Sequence, residues 1–327
     1  MAQQQRMVVA GVDIGGSHVT CVLLMAAPDG GSGGGGVEVQ AKEVAAVTDR
    51  GVDAVVDVIV RGLLAVLAGV GPDDVLAIGV GVPGNVDPVR NVAKYLPNFA
   101  WPADVELGRL ISKGLGVFQK VRIVMRNDGR CAALAETLLG AGHASRVFSM
   151  LTLGTGIGGA LVIDKKLFDG ATFDAGDFGH SVIRSDADAF ECNCGKRGCF
   201  ETQASAYGLV KQYRKQSASS SSGDAVTNAE QVLQLVHAGD AAALRALDVF
   251  LDDLSTGLAN LVTFYNPDTI ALGGGLAQAS ILFERLQTLV DEKTLPATKG
   301  KCRIVPASLG PDAGAIGAGV LALSSTQ

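Results

Sequence analysis

The chain repeats one design. An apolar run, Val8 to Asp13, meets the glycine pair Gly15-Gly16, and a second apolar run returns over Val19 to Met25. Far downstream, Phe148 to Leu153 meets Gly154-Thr155-Gly156, and Gly158 to Ile163 returns. Short unbroken runs of branched residues are the mark of strands buried on both faces, and a glycine turn between two of them closes a hairpin. Two copies so far apart predict two related α/β domains rather than a short-period solenoid. Two unrelated hairpins would leave the same trace. A length of 327 residues exceeds one ordinary core and suits two domains.

Between the copies, strands and helices alternate. Strands are expected at Val37–Val44, Val75–Val82 (closed by Pro83-Gly84) and Val121–Met125. The period of Val52, Val55, Val56, Ile59, Leu63, Val66 and Leu67 predicts a helix within Gly51–Gly69, and a further helix is expected near Val105–Leu115. Asn127-Asp128 opens a helix that Gly140 ends. Thr202–Tyr265 reads as helical, broken by a loop at Ser217–Ser222. Then come a strand at Thr269–Leu272, a helix near Ala279–Val290, a strand at Arg303–Val305 and an Ala/Gly-rich helix over Asp312–Leu323. The run Gly30 to Gly36 lacks the Lys-Ser/Thr anchor of a phosphate loop and reads as a hairpin tip. Hydrophobic residues make up 48% of the chain and aromatics 5%, with 43 glycines, a mix that suits buried strands, close helix packing and many tight turns.

A net charge of −6 argues against a nucleic-acid-binding face, which needs clustered Lys and Arg. No stretch reaches the about 18 apolar residues of a membrane span, and Met1 to Met7 offers no signal-peptide core. With six cysteines and no export signal, reduced thiols and a cytoplasmic enzyme are expected.

Three glycine-rich turns follow strands: Gly15-Gly16-Ser17 behind Asp13, Gly154 to Gly159, and Gly273-Gly274-Gly275. Backbone N–H groups at such turns can cradle phosphate oxygens, because no Cβ blocks the approach. A Rossmann dinucleotide site is not expected, since no helix start follows the second turn. One such turn would merely reverse the chain; three point to one nucleotide held between two lobes. Asp13 is either a cap for its own turn or a partner of Mg2+, which prefers a carboxylate plus waters and phosphate oxygens. Asn127-Asp128 stands at a strand-to-helix switch, where α/β proteins place ligands. Both residue types favour helix starts, and Asp128 can equally accept a hydroxyl proton, so the residues alone leave the two readings even.

The sharpest signal is Cys192-Asn193-Cys194-Gly195-Lys196-Arg197-Gly198-Cys199, with His180 twelve residues before it. Three thiolates and one imidazole make a closed tetrahedral zinc site, structural because no coordination position stays open. Metal on one imidazole nitrogen leaves the other as a fixed N–H donor toward a ligand.

Taken together these residues resemble the ROK family (repressors, open reading frames and kinases) over essentially the whole chain. Asp13-Ile14-Gly15-Gly16-Ser17 resembles its first phosphate motif and Leu153 to Gly159 its second. Gly273-Gly274-Gly275 corresponds to the adenosine motif, and Asp177-Phe178-Gly179-His180 to Glu-x-Gly-His. Cys192 to Glu201 matches the C-x-C-G-x-x-G-C-x-E zinc signature. Three positions depart from the pattern: Ser17 replaces Thr, His18 replaces a common Lys, and Asp177 replaces Glu.

The resemblance implies a two-lobed, actin-like or hexokinase-like α/β fold with the active site in the cleft. On it, a smaller lobe spans 1–125, with the C-terminal helix of 312–327 packed back onto it. A larger lobe spans 126–311 and carries the zinc loop. The resemblance makes Asp128 the catalytic base and sets Asn98, Asn127, Asp177, His180 and Glu201 around a sugar. Gly15, Gly16, Ser17, Thr155, Gly156, Gly273, Gly274 and Gly275 face the nucleotide. His180, Cys192, Cys194 and Cys199 hold structural Zn2+, and Asp13 is a candidate partner of the Mg2+ that accompanies ATP. The expected activity is ATP-dependent phosphorylation of a hexose, glucose first, with N-acetylmannosamine, fructose or mannose as alternatives and a homodimer as the assembly. A sugar-sensing repressor would need a DNA-binding helix pair ahead of Asp13, for which the sequence leaves no room. A non-catalytic sugar-binding module would be expected to have lost Asp128 or a glycine turn.

Overall fold

The computed structural model describes residues 7–26, 37–96, 99–217 and 226–325. The glycine run and all but Ser217 of the serine loop lie outside these residues. Contacts divide the chain into two units. The first gathers Met1–His143, Lys165–Ala175 and Ser308–Gln327, and the second Ala144–Asp164 and Gly176–Ala307.

In the first unit, β1 (Val8–Ile14) and β2 (His18–Ala26) form the expected hairpin, and β3 (Val37–Ala46) extends it. After α1 (Val52–Val66), β4 (Val75–Val82) pairs with β1 in parallel. A small hairpin follows, β5 (Asn85–Asp87) and β6 (Val92–Tyr95), which the sequence pattern did not mark. Its strands are too short to carry a period of their own. α2 (Leu107–Gly114) starts later than expected because Val105 is held in a bridge to Ala93. β7 (Arg122–Asn127) closes a sheet of order β3-β2-β1-β4-β7, and α3 (Asp128–Leu139) leaves it directly.

The second unit repeats this plan. β8 (Val147–Leu153) and β9 (Ile157–Ile163) form the hairpin. β10 (Lys166–Leu167) lies in the segment that contacts assign to the first unit. Four helices follow: α4 (Phe200–Ala204), α5 (Ala206–Gln216), α6 (Ala229–His237) and α7 (Ala241–Tyr265). β11 (Thr269–Gly273) pairs in parallel with β8, and β12 (Arg303–Pro306) pairs in parallel with β11. Between them α8 (Phe283–Lys293) begins after two single 3₁₀ turns, so it starts four residues later than the sequence suggests. Phe200, Phe250, Leu254, Leu258, Leu151 and Leu272 are core residues of this unit.

The last helix, α9 (Ala313–Ser324), belongs to the first unit. Gly11 and Gly79 face each other across β1 and β4. A Cβ on Gly11 would collide with the Ala315 carbonyl, and one on Gly79 with the Ala318 carbonyl. Two missing side chains therefore let a helix backbone lie directly on the sheet, where Ala315 and Ala322 pack with Val9, Leu24 and Ala77.

A sequence division at residue 126 differs from these units for two physical reasons. β7 runs to Asn127 inside the first sheet, and α3 is bound to α9: Gly317 leaves no room for a Cβ against the Cys131 carbonyl. Fully buried Glu136 of α3 tightens this join. Its carboxylate accepts hydrogen bonds from the N–H groups of Ala141, Ser308 and Leu309 at 2.8, 2.7 and 2.7 Å, and from Ser308 Oγ at 3.0 Å. The segment Lys165–Ala175 is fastened to the same unit, with Lys165 Nζ donating to the carbonyls of Thr137, Gly142 and His143 beyond the middle of α3.

Candidate active site and metal centre

In the first unit, strand pairing fixes Asp13 one residue from the end of β1, between Thr20 of β2 and Gly81 of β4. The following turn is tight: the Gly15 N–H donates to the His18 carbonyl at 2.9 Å. Ser17 and His18 are exposed and lie side by side, Ser17 Oγ to His18 Nδ1 3.1 Å.

Asn127 ends β7 and Asp128 begins α3, and the Asp128 charge acts on Asp13. The capping work that either could do is done by Asn127, whose Oδ1 accepts the Arg130 N–H at 3.2 Å while its Nδ2 donates to the Gly84 carbonyl at 3.2 Å. Asp128 begins the helix itself, with Oδ1 accepting the Gly129 N–H at 2.8 Å. Burial pushes the Asp128 carboxyl above the usual carboxylate range, against the pull of the Gly129 and Asn127 hydrogen bonds. Asp13 rises to about 7, first through burial and then through the charge of Asp128. Two carboxylates held near each other in a poorly solvated place resist carrying two negative charges, and a cation would relieve both.

Arg126 and Arg130 flank Asn127-Asp128 along the chain, and no sequence period or spacing marked them. The Arg126 guanidinium meets the Asp169 carboxylate at 3.0 Å, and Arg130 donates to the Phe173 carbonyl. Asn85 reaches the Asp174 carboxylate at 3.1 Å. These partners are distant in sequence, so only the fold brings them together.

In the second unit the two remaining glycine turns meet. Gly274 adopts φ +85, and a Cβ there would stand 2.6 Å from the Leu153 carbonyl oxygen, so the two turns are in backbone contact. The Gly154 carbonyl, in turn, accepts the N–H of Ala206 at the start of α5. Thr155 is exposed. A Cβ on Gly156 would lie 2.5 Å from Glu201 Oε2. The other oxygen, Oε1, is 3.4 Å from His180 Nδ1 and accepts from Cys192 Sγ at 3.2 Å. One continuous line of contact therefore joins the third glycine turn, the second, Glu201, His180 and the thiols. Asp177 is exposed on the turn leading to His180. Asn98 lies outside the described residues.

The ligand atoms of His180, Cys192, Cys194 and Cys199 all lie within 4.8 Å of one another. Cys194 Sγ and Cys199 Sγ are 3.6 Å apart, and Cys192 Sγ is 3.7 Å from His180 Nδ1. Zn–S bonds of about 2.3 Å set the corners of a tetrahedron about 3.8 Å apart, so this donor set fits a zinc ion. It does not fit a disulfide, whose sulfurs bond at about 2.05 Å. The loop's shape depends on Gly198, with φ +72 and no room for a Cβ against the Arg184 carbonyl.

No helix among the described residues is long and apolar enough to cross a membrane. Known proteins agree with this architecture. A glucokinase of Halalkalibacterium halodurans is 32% identical over 257 residues, covering 76% of each chain. An N-acetyl-D-glucosamine kinase of Pasteurella multocida is 31% identical over 260 residues, covering 76% of this chain and 80% of that one. The crystal structure of a ROK family glucokinase from Streptomyces griseus, in complex with glucose and AMPPNP, superposes with a TM-score of 0.73 at 26% identity, covering 97% of this chain and 99% of that one. The fold is that of the actin-like ATPases. The ROK family model matches residues 9–325, and the chain belongs to the ROK family.

Proposed function

We propose that this ATP-dependent hexose kinase transfers the γ-phosphoryl group of ATP to the 6-hydroxyl of glucose, with Asp128 as general base. The observation that carries the proposal is the Asp128 carboxylate: half-buried at the β7–α3 junction, freed from capping by Asn127, and holding a proton more readily than an ordinary aspartate. In the reaction O6 bonds to the γ-phosphorus, the bond from that phosphorus to the bridging oxygen breaks, ADP leaves and the O6 proton passes to Asp128. Because the transition state is loose, the hydroxyl needs orientation early and loses its proton late, which a carboxylate base can serve.

Mg2+ held with Asp13 would neutralise charge on the phosphates, and the crowded carboxylate pair favours a cation there. The Gly15 N–H is engaged within its own turn, which leaves Gly16 and Ser17 as the donors of the first turn. Thr155 and Gly156 serve the phosphates, and Gly273, Gly274 and Gly275 the adenosine. Asn98, Asn127, Asp177, His180 and Glu201 hold the sugar. His180, Cys192, Cys194 and Cys199 would bind zinc as a structural ion. The enzyme works as a homodimer in the cytoplasm, and sedimentation of the purified protein tests the dimer.

Glucose is favoured by the two glucokinases among the similar proteins, and an N-acetylated hexose by the Pasteurella relative. A coupled assay across glucose, mannose, fructose, N-acetylglucosamine and N-acetylmannosamine decides. The expected result is the highest kcat/KM with glucose. A higher value with an acetamido sugar replaces that reading with the second.

A further inference from the structure

Gly314, the second residue of α9, lies against the Asp13 carboxylate. A Cβ there would stand 2.5 Å from Asp13 Oδ2, 2.6 Å from Cγ and 2.9 Å from Oδ1, well inside the about 3.5 Å of optimal non-bonded contact. On another side Gly81 bounds the same carboxylate: its Cβ would fall 3.4 Å from Oδ1 and 3.5 Å from the Asp128 Cα. Gly314 of α9 thus makes the room in which the carboxylate stands beside the base, and Gly81 of β4, where a Cβ would sit in ordinary contact, lines its other side.

The backbones around this slot cannot give way. Asp13 is paired on both sides within its sheet, to Thr20 and to Gly81. α9 is pinned by its close approaches to Gly11, to Gly79 and, through Gly317, to the Cys131 carbonyl. If residue 314 gains a side chain, the part free to move is the Asp13 carboxylate, by rotation about its own side-chain bonds.

We propose that Gly314 is a positioning residue for phosphoryl transfer, and that its missing side chain sets where the Asp13 carboxylate stands relative to Asp128 and the nucleotide's Mg2+. This rests on the reading of Asp13 as a partner of that ion. Sequence-distant α9 thereby takes part in the chemistry without touching substrate.

The test combines kinetics, binding and a stability cycle. Gly314→Ala is expected to lower kcat about tenfold or more, to leave the sugar KM within about twofold, and to raise the Mg2+ concentration needed for half-maximal rate. Calorimetry should find Mg2+-nucleotide binding weakened severalfold. Alanine favours a helix over glycine, so Gly314→Ala should raise Tm in an Asp13→Ala background, where the three atoms nearest the new Cβ are gone, and fail to raise it with Asp13 present. Should Gly314→Ala alone fail to fold, a folded Asp13→Ala/Gly314→Ala protein supports the proposal, and an unfolded one overturns it. Equal Tm shifts in both backgrounds with unchanged kcat and metal requirement would also overturn it. If Asp13→Asn keeps more than half of wild-type kcat, the Mg2+ reading of Asp13 falls and takes this inference with it. If Asp13→Asn is inactive while Gly314→Ala is fully active, only the inference falls.

Discussion

In the first unit the last residue but one of β1 is Asp13, paired with Gly81 on one side and Thr20 on the other. In the second unit the same position of β8 is Thr152, paired with Gly273 and Gly158. Strand order, pairing sense and the glycine across the sheet agree; the side chain does not. A hydroxyl can be half-buried at small cost, whereas burial and a neighbouring charge lift the Asp13 carboxyl to about 7. The first unit thus keeps its ionisable chemistry on the sheet itself. The second keeps its own in the loop that leads into α4 and in the first turn of that helix, where the thiols, His180 and Glu201 gather. One scaffold carries two kinds of site because chemistry resides in a few side chains rather than in the strands that hold them.

The sharpest way to break this contrast is to remove the charge of the proposed base. Asp128→Asn should lower kcat by roughly 10²–10⁴ while sugar affinity stays within about tenfold. A variant that keeps more than about a tenth of wild-type kcat would leave Asp128 no role beyond the first turn of α3.

The metal cluster comes next. Purified protein should contain one zinc per chain, and Cys194→Ser should weaken sugar binding roughly tenfold or more, with a much smaller effect on nucleotide binding. Metal analysis and calorimetry with each ligand check this. A metal-free protein with full activity would strip the second unit of its distinguishing chemistry.

Asp177→Ala tests a single contact. A hydrogen bond to a charged group is worth about 1.5–3 kcal/mol, so the sugar KM should rise roughly tenfold or more and the ATP KM barely change. An unchanged sugar KM would mean that this exposed carboxylate faces away from the ligand.

The smallest effect is a slope of stability against pH. Asp13 titrates at about 7 in the fold and at an ordinary 3.8 outside it, so between these values the folded chain binds the proton more firmly. Stability without metal or nucleotide should therefore decline from this source as pH rises from about 4 to about 7. Asp13→Asn should flatten that part of a Tm profile, and an unaltered profile would show that the two hairpin ends do not differ electrostatically.

Much of this arrangement was legible in the sequence. Strands such as Val75–Val82 were visible because burial on both faces demands an unbroken apolar run, and α1 because its apolar residues keep a helical period. The cysteine spacing announced its donor set because the ligands are local in the chain. The hairpin at Asn85–Tyr95 and the attachment of Lys165–Ala175 left no trace, since their contacts are made by residues that neither alternate nor recur. The unit boundary was hidden for a related reason: Glu136 and Gly317 bind α3 to α9 through partners far along the chain. Of the candidate site, the residue types were readable, but the division of labour between Asn127 and Asp128 was not, because it depends on which oxygen meets the Arg130 N–H.

The seating of α9 on the Gly11–Gly79 groove also bears on biosynthesis. A ribosome delivers β1, β2 and β4 long before Ala313 is made, so Val9, Leu24 and Ala77 must wait without the cover that α9 later gives. Each valine or leucine left in water forgoes about 1.5–3 kcal/mol of burial, and the unclosed rear of the sheet is an adhesive surface during that interval. The oldest sheet of the molecule can therefore be closed only after every residue of the second unit has been synthesised.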